Sequence, residues 1–273
     1  MNTKRLIKVL LMAAACAALT LAPTPIAGAE TGTTYYVATN GNDLWPGTLS
    51  QPWATIDHAA TFMWPGDTVL IRGGEYHEWV QTRRSGAAGA PITFRAFPGE
   101  RPILDGTGVG WNYGFKVAGD HSYIHIDGLV IRNFAGYGLT LWGNNRHVQI
   151  VNVEITNTDT AVRLTEYGVP GGVVEDLRVE NSYLHHNSLL GIDCSPGPCR
   201  RVQIINTTSA YNGPENQTAA DGFAFESGEE IYVERCRAIG NAGDGFDFKS
   251  DITRIARSIA WGNDRDGIKL WGA

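Results

Sequence analysis

Three short Asp-Gly segments near the end of the chain recur at a nearly fixed spacing. They read Ala-Asp-Gly-Phe at 220–223, Gly-Asp-Gly-Phe-Asp at 243–247 and Asp-Gly-Ile-Lys at 266–269, so that their glycines are 23 and 22 residues apart. A constant period in this range is typical of a stacked solenoid, in which equivalent positions of successive repeats become neighbours in space. We therefore expect Asp221, Asp244 and Asp266 to form one column, with about 4.8 Å between rungs.

The repeats extend backwards to about residue 121, with steps of 23, 30, 31, 23 and 22 residues, the two longest of which contain loop insertions. Pairs of short strand-like runs flank one small residue in each repeat, namely Gly138, Ala161, Gly191, Gly222, Gly245 and Gly267. An asparagine precedes each of these small residues, at Asn133, Asn157, Asn187, Asn212, Asn241 and Asn263. Stacked amides can hydrogen-bond from one rung to the next, so we interpret these residues as a structural ladder. The pattern predicts an all-β chain folded as a right-handed parallel β-helix, a solenoid.

The two ends of the chain read differently from the repeats. Residues 1–29 combine a basic start, an apolar run and an Ala-Gly-Ala cleavage site, which predicts a signal peptide and a secreted, extracellular protein. The β-helix domain is then expected over 30–273. Apolar residues at helical spacing between Pro52 and Met63 predict a short N-terminal capping helix. The sequence stops two residues after Trp271, inside a repeat, so we expect a domain truncated at its C-terminal end.

Charge and hydropathy exclude two classes of partner. Without residues 1–29, 19 Lys and Arg face 28 Asp and Glu, a balance of −9. Such an acidic chain is not expected to bind nucleic acid. No run after the signal peptide is apolar over 18 residues, so no membrane span is predicted. We expect a monomer.

Cysteine usage agrees with export. Cys194 and Cys199 bracket a Ser-Pro-Gly-Pro turn, and a disulfide between them is one of two readings that the sequence leaves open. Cys236 has no evident partner and is expected to pack in the core.

Strand alternation predicts which side chains share a face. Inward columns are expected to contain Phe223, Phe246 and Ile268, and next to them Phe225, Phe248 and Leu270. One outward column is expected to contain Thr140, Arg163, Asp193, Ala224, Asp247 and Lys269. The neighbouring outward column is expected to contain Trp142, Thr165, Ser195, Glu226, Lys249 and Trp271. Carboxylates, cations and tryptophans thus share one surface, and a group of carboxylate oxygens of this kind suits Ca²⁺.

A purely structural interpretation is also open. Asp-Gly pairs are common in turns because both residues tolerate left-handed backbone conformations. Asp247 beside Lys269 could be a surface ion pair of small energetic value.

The three Asp-Gly segments, together with Gly-Asn-Ala at 240–242 and Leu-Trp-Gly at 270–272, are similar to the signature of family 9 polysaccharide lyases, which are secreted β-helix pectate lyases. The opening, with Tyr-Tyr-Val-Ala at 35–38 and Pro-Gly-Asp-Thr-Val at 65–69, also resembles theirs. The resemblance implies Ca²⁺ as cofactor, held by Asp221, Asp244 and Asp247, and Lys269 as the catalytic base. It further implies an acidic polysaccharide substrate, with pectate the first expectation, cleaved by β-elimination.

Two positions depart from that signature. The family has two consecutive aspartates before the glycine, whereas Gly243 stands at the first here, so that one carboxylate is missing. Asp266 replaces the family's usual asparagine. We expect its charge to favour the ammonium form of Lys269, and it could also supply the missing ligand.

Substrate contacts are expected from four further residues on this surface. Arg163 could pair with a second uronate, Trp271 could stack on a sugar ring as could Trp142, and Lys249 lies beside them. Two other functions stay open. Asn-Thr-Asp at 157–159 echoes a motif of polygalacturonases, which are β-helix glycoside hydrolases. A non-catalytic β-helix that binds carbohydrate or lies on a cell surface is the third possibility.

Overall fold

The chain folds as a right-handed parallel β-helix, built from three long sheets that run along the solenoid axis. The computed structural model describes residues 32–165, 172–214 and 219–271. The predicted signal peptide at 1–29 lies outside the described residues. Neighbouring strands pair in parallel from rung to rung, where a rung is one turn of the solenoid. The predicted fold class is therefore confirmed.

The first sheet has eleven strands in the described chain. They are β1 (Thr34–Val37), β2 (Thr68–Ile71), β5 (Ile92–Ala96), β8 (Ile124–Asp127), β11 (Asn145–Arg146), β12 (Val148–Val151), β15 (Val174–Glu175), β16 (Arg178–Glu180), β19 (Cys199–Ile205), β22 (Gly228–Glu234) and β25 (Asp251–Ala256).

The second and third sheets have eight described strands each. The second contains β3 (Gly74–Tyr76), β6 (Pro102–Asp105), β9 (Val130–Arg132), β13 (Glu154–Thr156), β17 (Tyr183–His185), β20 (Thr208–Ala210), β23 (Arg237–Ile239) and β26 (Ile259–Trp261). The third contains β4 (Val80–Gln81), β7 (Tyr113–Val117), β10 (Tyr137–Leu141), β14 (Thr160–Leu164), β18 (Ile192–Cys194), β21 (Phe223–Phe225), β24 (Phe246–Phe248) and β27 (Ile268–Leu270).

One short helix, α1 (Ile56–Phe62), covers the N-terminal end by packing against β1 and β4. The Thr55 side chain accepts a hydrogen bond from the His58 backbone N–H, which caps the first turn. Ile56, Ala59 and Ala60 are buried. The capping helix is thus confirmed, although it begins at Ile56 rather than at Pro52, because the preceding Trp53 forms a β-bridge with Val37.

Aromatic stacks fill the interior of the late rungs. The rings of Phe223 and Phe246 lie 4.9 Å apart and 5° from parallel, and Phe225 stacks on Phe248 at 5.1 Å. Ile268 and Leu270 continue these two columns in register, as predicted. They are nevertheless 50% and 60% exposed, because β27 is the last described strand of its sheet.

The asparagine ladder is present, with a shifted start. Amides bond from Asn187 to Asn212, from Asn212 to Asn241 and from Asn241 to Asn263, each at 2.9 Å. Thr158 rather than Asn157 occupies the preceding rung of this ladder and donates to Asn187 Oδ1 at 2.8 Å.

Asn133 and Asn157 belong to a different column. They lie one position earlier in the turn, with φ of 63° and 54°, where asparagine tolerates the left-handed conformation.

Replacing Asn212 by alanine is expected to destabilise the fold by about 2–3 kcal/mol, because the buried side-chain amides of Asn187 and Asn241 each lose a hydrogen bond to the Asn212 side chain. Urea unfolding of both proteins measures this difference. Asn206→Gly is the matched control, because Asn206 makes a similar rung-to-rung bond to Asn181 at an exposed position, and glycine accepts its φ of 47° without strain. An equal loss in the two variants would contradict a special role for the buried ladder.

Candidate functional site

The Asp-Gly repeats form the predicted column, and the first two aspartates are each fixed by the rung that follows. The backbone N–H of Asp244 donates to Asp221 Oδ1 at 2.6 Å, and the backbone N–H of Asp266 donates to Asp244 Oδ1 at 2.8 Å. One oxygen of Asp221 and one of Asp244 are therefore held in place by backbone donors. The other oxygen of each carboxylate is available for a different partner.

The glycines of these repeats are required by close packing. A Cβ at Gly222 would lie 2.7 Å from the carbonyl oxygen of Gly245, and one at Gly245 would lie 2.5 Å from that of Gly267. Neither glycine has a positive φ. The explanation from left-handed turns is therefore wrong for these pairs. The glycines are needed because successive rungs pack too closely for a Cβ, not because the backbone adopts a left-handed conformation.

Asp221, Asp244 and Asp247 form a compact group of carboxylates. Each offers an oxygen within 4.8 Å of the other two, and all three residues are buried. Within the described residues no other group of three or more such ligands is as close. Carboxylates this close repel one another unless positive charge lies among them, so the group is a candidate cation site, and its oxygen donors suit Ca²⁺.

Asp266 is not part of this group. It is exposed, and its backbone rather than its carboxylate contacts Asp244. The expectation that it could replace the missing ligand therefore has no support in the structure.

Lys269 is the cation that lies closest to this carboxylate group. It is the direct neighbour of Asp247 on the next rung. Its Nζ donates to Asp244 Oδ2 at 2.9 Å and to Asp247 Oδ2 at 3.0 Å, and its side chain is only 18% exposed. The predicted base and two predicted metal ligands are thus brought together.

The pKa values of Asp221 and Lys269 are shifted by burial and by neighbouring charges. Burial, aided by the charges of Asp244 and Asp247, raises the pKa of Asp221 to about 6. Burial acts to lower the pKa of Lys269, but the hydrogen bonds that its ammonium donates to Asp244 and Asp247 outweigh burial and raise that pKa above its usual value. These two residues, rather than Asp266, hold Lys269 in the ammonium form.

Gly243 explains why the missing aspartate cannot simply be restored. A Cβ at this position would lie 2.3 Å from Asp221 Oδ1 and 2.9 Å from backbone atoms of Ala220. Any side chain here therefore pushes Asp221 away from its present position.

We expect Gly243→Asp to weaken calcium binding, in spite of the added carboxylate, because the displaced Asp221 leaves the group. Calorimetric titration with Ca²⁺ measures the effect. Gly243→Ala is the control with the same Cβ and no charge, and it is expected to weaken binding similarly. Tighter binding by Gly243→Asp than by the parent protein would show that the carboxylate group rearranges to accept a fourth ligand.

Trp271 and Lys249 surround the carboxylate group. Trp271 Nε1 donates to Asp247 Oδ1 at 3.0 Å, while the residue remains 53% exposed. Lys249 Nζ contacts the Glu226 carboxylate at 2.5 and 2.6 Å and lies 3.7 Å from Asp247. Both residues could reach a bound sugar, although the ammonium of Lys249 already has a carboxylate partner.

Arg163 lies three rungs away from Asp247 in the predicted outward column. Its guanidinium forms an ion pair with Asp193 and donates to the backbone carbonyl of Ser195 at 2.7 Å. The side chain is only 6% exposed. Asp193 is the partner that the sequence reasoning missed, although the two residues are neighbours in the predicted column.

A pocket of about 500 Å³ extends from Arg163 to Asp221, one of the three clustered carboxylates. Its wall includes Leu190, Asp193, Pro196, Asp221 and Glu226. The Cys194–Cys199 disulfide closes the loop that contains Pro196, so the open question about this pair is answered in favour of a bond. Cys236 is buried and free, as expected.

The side chains of Asn157 and Thr158 form structural hydrogen bonds to neighbouring rungs. Asn157 donates to Asn133, and Thr158 donates to Asn187. The echo of a polygalacturonase motif is thus explained by packing.

A family model and two of the chain's curated relatives match it over most of its length. A family model for the Pel9A-like right-handed β-helix region matches residues 35–270. Pectate lyase L of Dickeya dadantii is 26% identical over 263 residues, a match that covers 89% of this chain and 53% of that protein. Pectate lyase PEL9 of Emericella nidulans is 28% identical over 261 residues, covering 86% and 58%. The chain thus spans little more than half the length of these relatives.

The fold itself has a close counterpart among solved structures. The crystal structure of pectate lyase Pel9A matches with a TM-score of 0.60 at 21% sequence identity, over 89% of this chain and 69% of that one. At this identity the match supports the β-helix architecture.

Proposed function

This chain belongs to the Pel9A-like right-handed β-helix family, and on that premise we propose that it is a polysaccharide lyase acting on a uronic-acid polymer. The proposed reaction is β-elimination, with Lys269 as the base. Pectate is the proposed substrate, because two relatives across most of the chain are named pectate lyases. We propose that it acts outside the cell, in keeping with the signal peptide predicted at 1–29.

One observation carries this proposal. A lysine ammonium lies within hydrogen-bonding distance of two members of a buried group of three carboxylates. β-Elimination next to a carboxylate requires a base and a positive charge that stabilises the developing anion. Lys269 is the candidate base, and the three carboxylates could hold a cation that supplies the positive charge.

The residues present fit a calcium ion. Asp221, Asp244 and Asp247 offer only oxygen donors, and a cation among them would stabilise the charged form of Asp221, whose pKa burial raises to about 6. When bound, Ca²⁺ would attract the substrate carboxylate and stabilise negative charge beside it. Below about pH 6, a proton would compete for Asp221.

Lys269 can act as a base only after it leaves its present partners. Its ammonium and a cation compete for the same oxygens, Oδ2 of Asp244 and Oδ2 of Asp247. Released from them, Lys269 loses the two hydrogen bonds that raise its pKa. Its modest exposure leaves one side open to a substrate.

The proposed β-elimination moves one proton to Lys269 and breaks one C–O bond. Lys269 Nζ takes the proton from C5 of the uronate, and the C–H electron pair forms a double bond between C4 and C5. The bond from C4 to the glycosidic oxygen breaks, that oxygen takes up a proton from water, and Lys269 afterwards returns the C5 proton to solvent. Trp271, fixed by Asp247, presents its ring for stacking on a neighbouring sugar.

Product analysis distinguishes the proposed reaction from the alternatives. Incubation with polygalacturonate and Ca²⁺ is expected to yield oligosaccharides with unsaturated ends, seen as a rise in ultraviolet absorbance. New reducing ends without that absorbance would indicate a glycoside hydrolase. Binding with neither product would indicate a non-catalytic carbohydrate-binding protein.

A further inference from the structure

A second pocket lies on the same face of the solenoid, beyond the proposed reaction site. It has a volume of about 540 Å³ and adjoins the strands β7 and β10 of the third sheet. Lys116 and Thr140 extend the outward column that ends at Lys269. Five rungs separate Thr140 from Lys269, or about 24 Å at one strand spacing per rung. The pocket is therefore separate from the carboxylate group.

Aromatic side chains dominate the lining of this pocket. Trp111, Tyr113, Tyr137 and Trp142 all contribute to it. Trp111 packs against Trp79, with ring centroids 4.6 Å apart and ring planes 37° from parallel, and remains 48% exposed. This packing fixes the orientation of the Trp111 ring while leaving much of it open to solvent.

The polar groups of the lining are few. Asn112 and Asp159 lie beside the rings, and Asp159 is the only charged residue among the described residues that line the pocket. Two cations lie against lining rings. Arg163 is 5.6 Å from the Tyr137 ring centroid and pairs with Asp193, whereas Lys116 has its Nζ 3.4 Å from the ring centroid of Trp142 and 4.9 Å from that of Tyr113. The charge of Lys116 is thus already engaged by two rings.

From this lining we propose a second carbohydrate-binding site that takes a neutral hexose unit. A pyranose ring has an apolar C–H face that packs on an aromatic ring, and hydroxyls at its edge that bond to amide and carboxylate oxygens. The carboxylate of Asp159 disfavours a uronate in the same position. The site binds without catalysis, so it does not depend on the reaction proposed for Lys269.

Calorimetric titration of the whole protein with sugars of equal length tests the proposal. The probes are tetrasaccharides of galactose, glucose and mannose, with tetragalacturonate as the acidic comparison. At least one neutral probe is expected to bind, and Trp111→Ala is expected to weaken it roughly tenfold through the lost stacking. Trp111→Phe, which keeps a ring, is expected to lose less.

Trp64→Ala is the matched control, because Trp64 is 63% exposed and lies outside the pocket. It is expected to bind the neutral probe like the parent protein. Thermal melting verifies that each variant is folded. The proposal is overturned if no neutral probe binds, if tetragalacturonate binds to the Trp111 surface more tightly than the neutral probes, or if folded Trp111→Ala binds unchanged.

Discussion

Lys269→Ala is expected to lower kcat on polygalacturonate by about a thousandfold, the usual scale for removal of a general base. It is also expected to tighten calcium binding, because the ammonium that now bonds Asp244 and Asp247 no longer competes for their oxygens. Steady-state kinetics and calorimetric titration with Ca²⁺ measure the two effects. Opposite changes in turnover and affinity are difficult to obtain from misfolding.

Lys249→Ala is the appropriate control for this experiment. Lys249 is also a lysine beside Asp247, but its ammonium bonds mainly to Glu226. Its removal is expected to raise KM with little change in kcat. Equal losses of kcat in the two variants would contradict a distinct role for Lys269. Weaker calcium binding by Lys269→Ala would contradict the competition.

The second large effect is expected at Asp247. Asp247→Asn removes one charge from the carboxylate group while keeping an oxygen that can accept from Trp271 Nε1. Loss of one charged ligand is expected to weaken calcium binding by about tenfold or more. Turnover is expected to fall in parallel at limiting calcium and to recover in part at high calcium.

Asp266→Asn provides the comparison for the second experiment. Asp266 occupies the same Asp-Gly column but is exposed and outside the carboxylate group, and only its backbone N–H bonds to Asp244. This change is expected to leave calcium affinity almost unaltered. An effect as large as that of Asp247→Asn would place Asp266 among the ligands after all.

The periodic part of the architecture could be predicted from the sequence. The small residue that recurs once in each rung specifies which residues are neighbours across rungs. The strand period of two specifies which face each residue occupies. The outward column from Thr140 to Lys269 therefore follows from sequence alone, and the structure reproduces its register.

Side-chain contacts within a column were harder to foresee. Register brings Arg163 beside Asp193, but it does not say whether the guanidinium turns towards that carboxylate or towards solvent. Likewise, the clash of a Cβ at Gly243 with Asp221 depends on atomic positions within a turn. Trp142 was expected to stack on a sugar ring, but Trp111 and its neighbour Trp79 lie next to strands rather than within them, so strand alternation did not place them beside Trp142.

The most direct test of the proposed mechanism is the calcium dependence of unsaturated product formation. Absorbance from polygalacturonate is followed at increasing free Ca²⁺ for the parent protein and for Asp247→Asn. The mechanism predicts no product when a chelator is present, saturable product formation with Ca²⁺ for the parent, and a curve shifted to higher Ca²⁺ for the variant. Product formation that is independent of Ca²⁺, or identical curves for the two proteins, would contradict it.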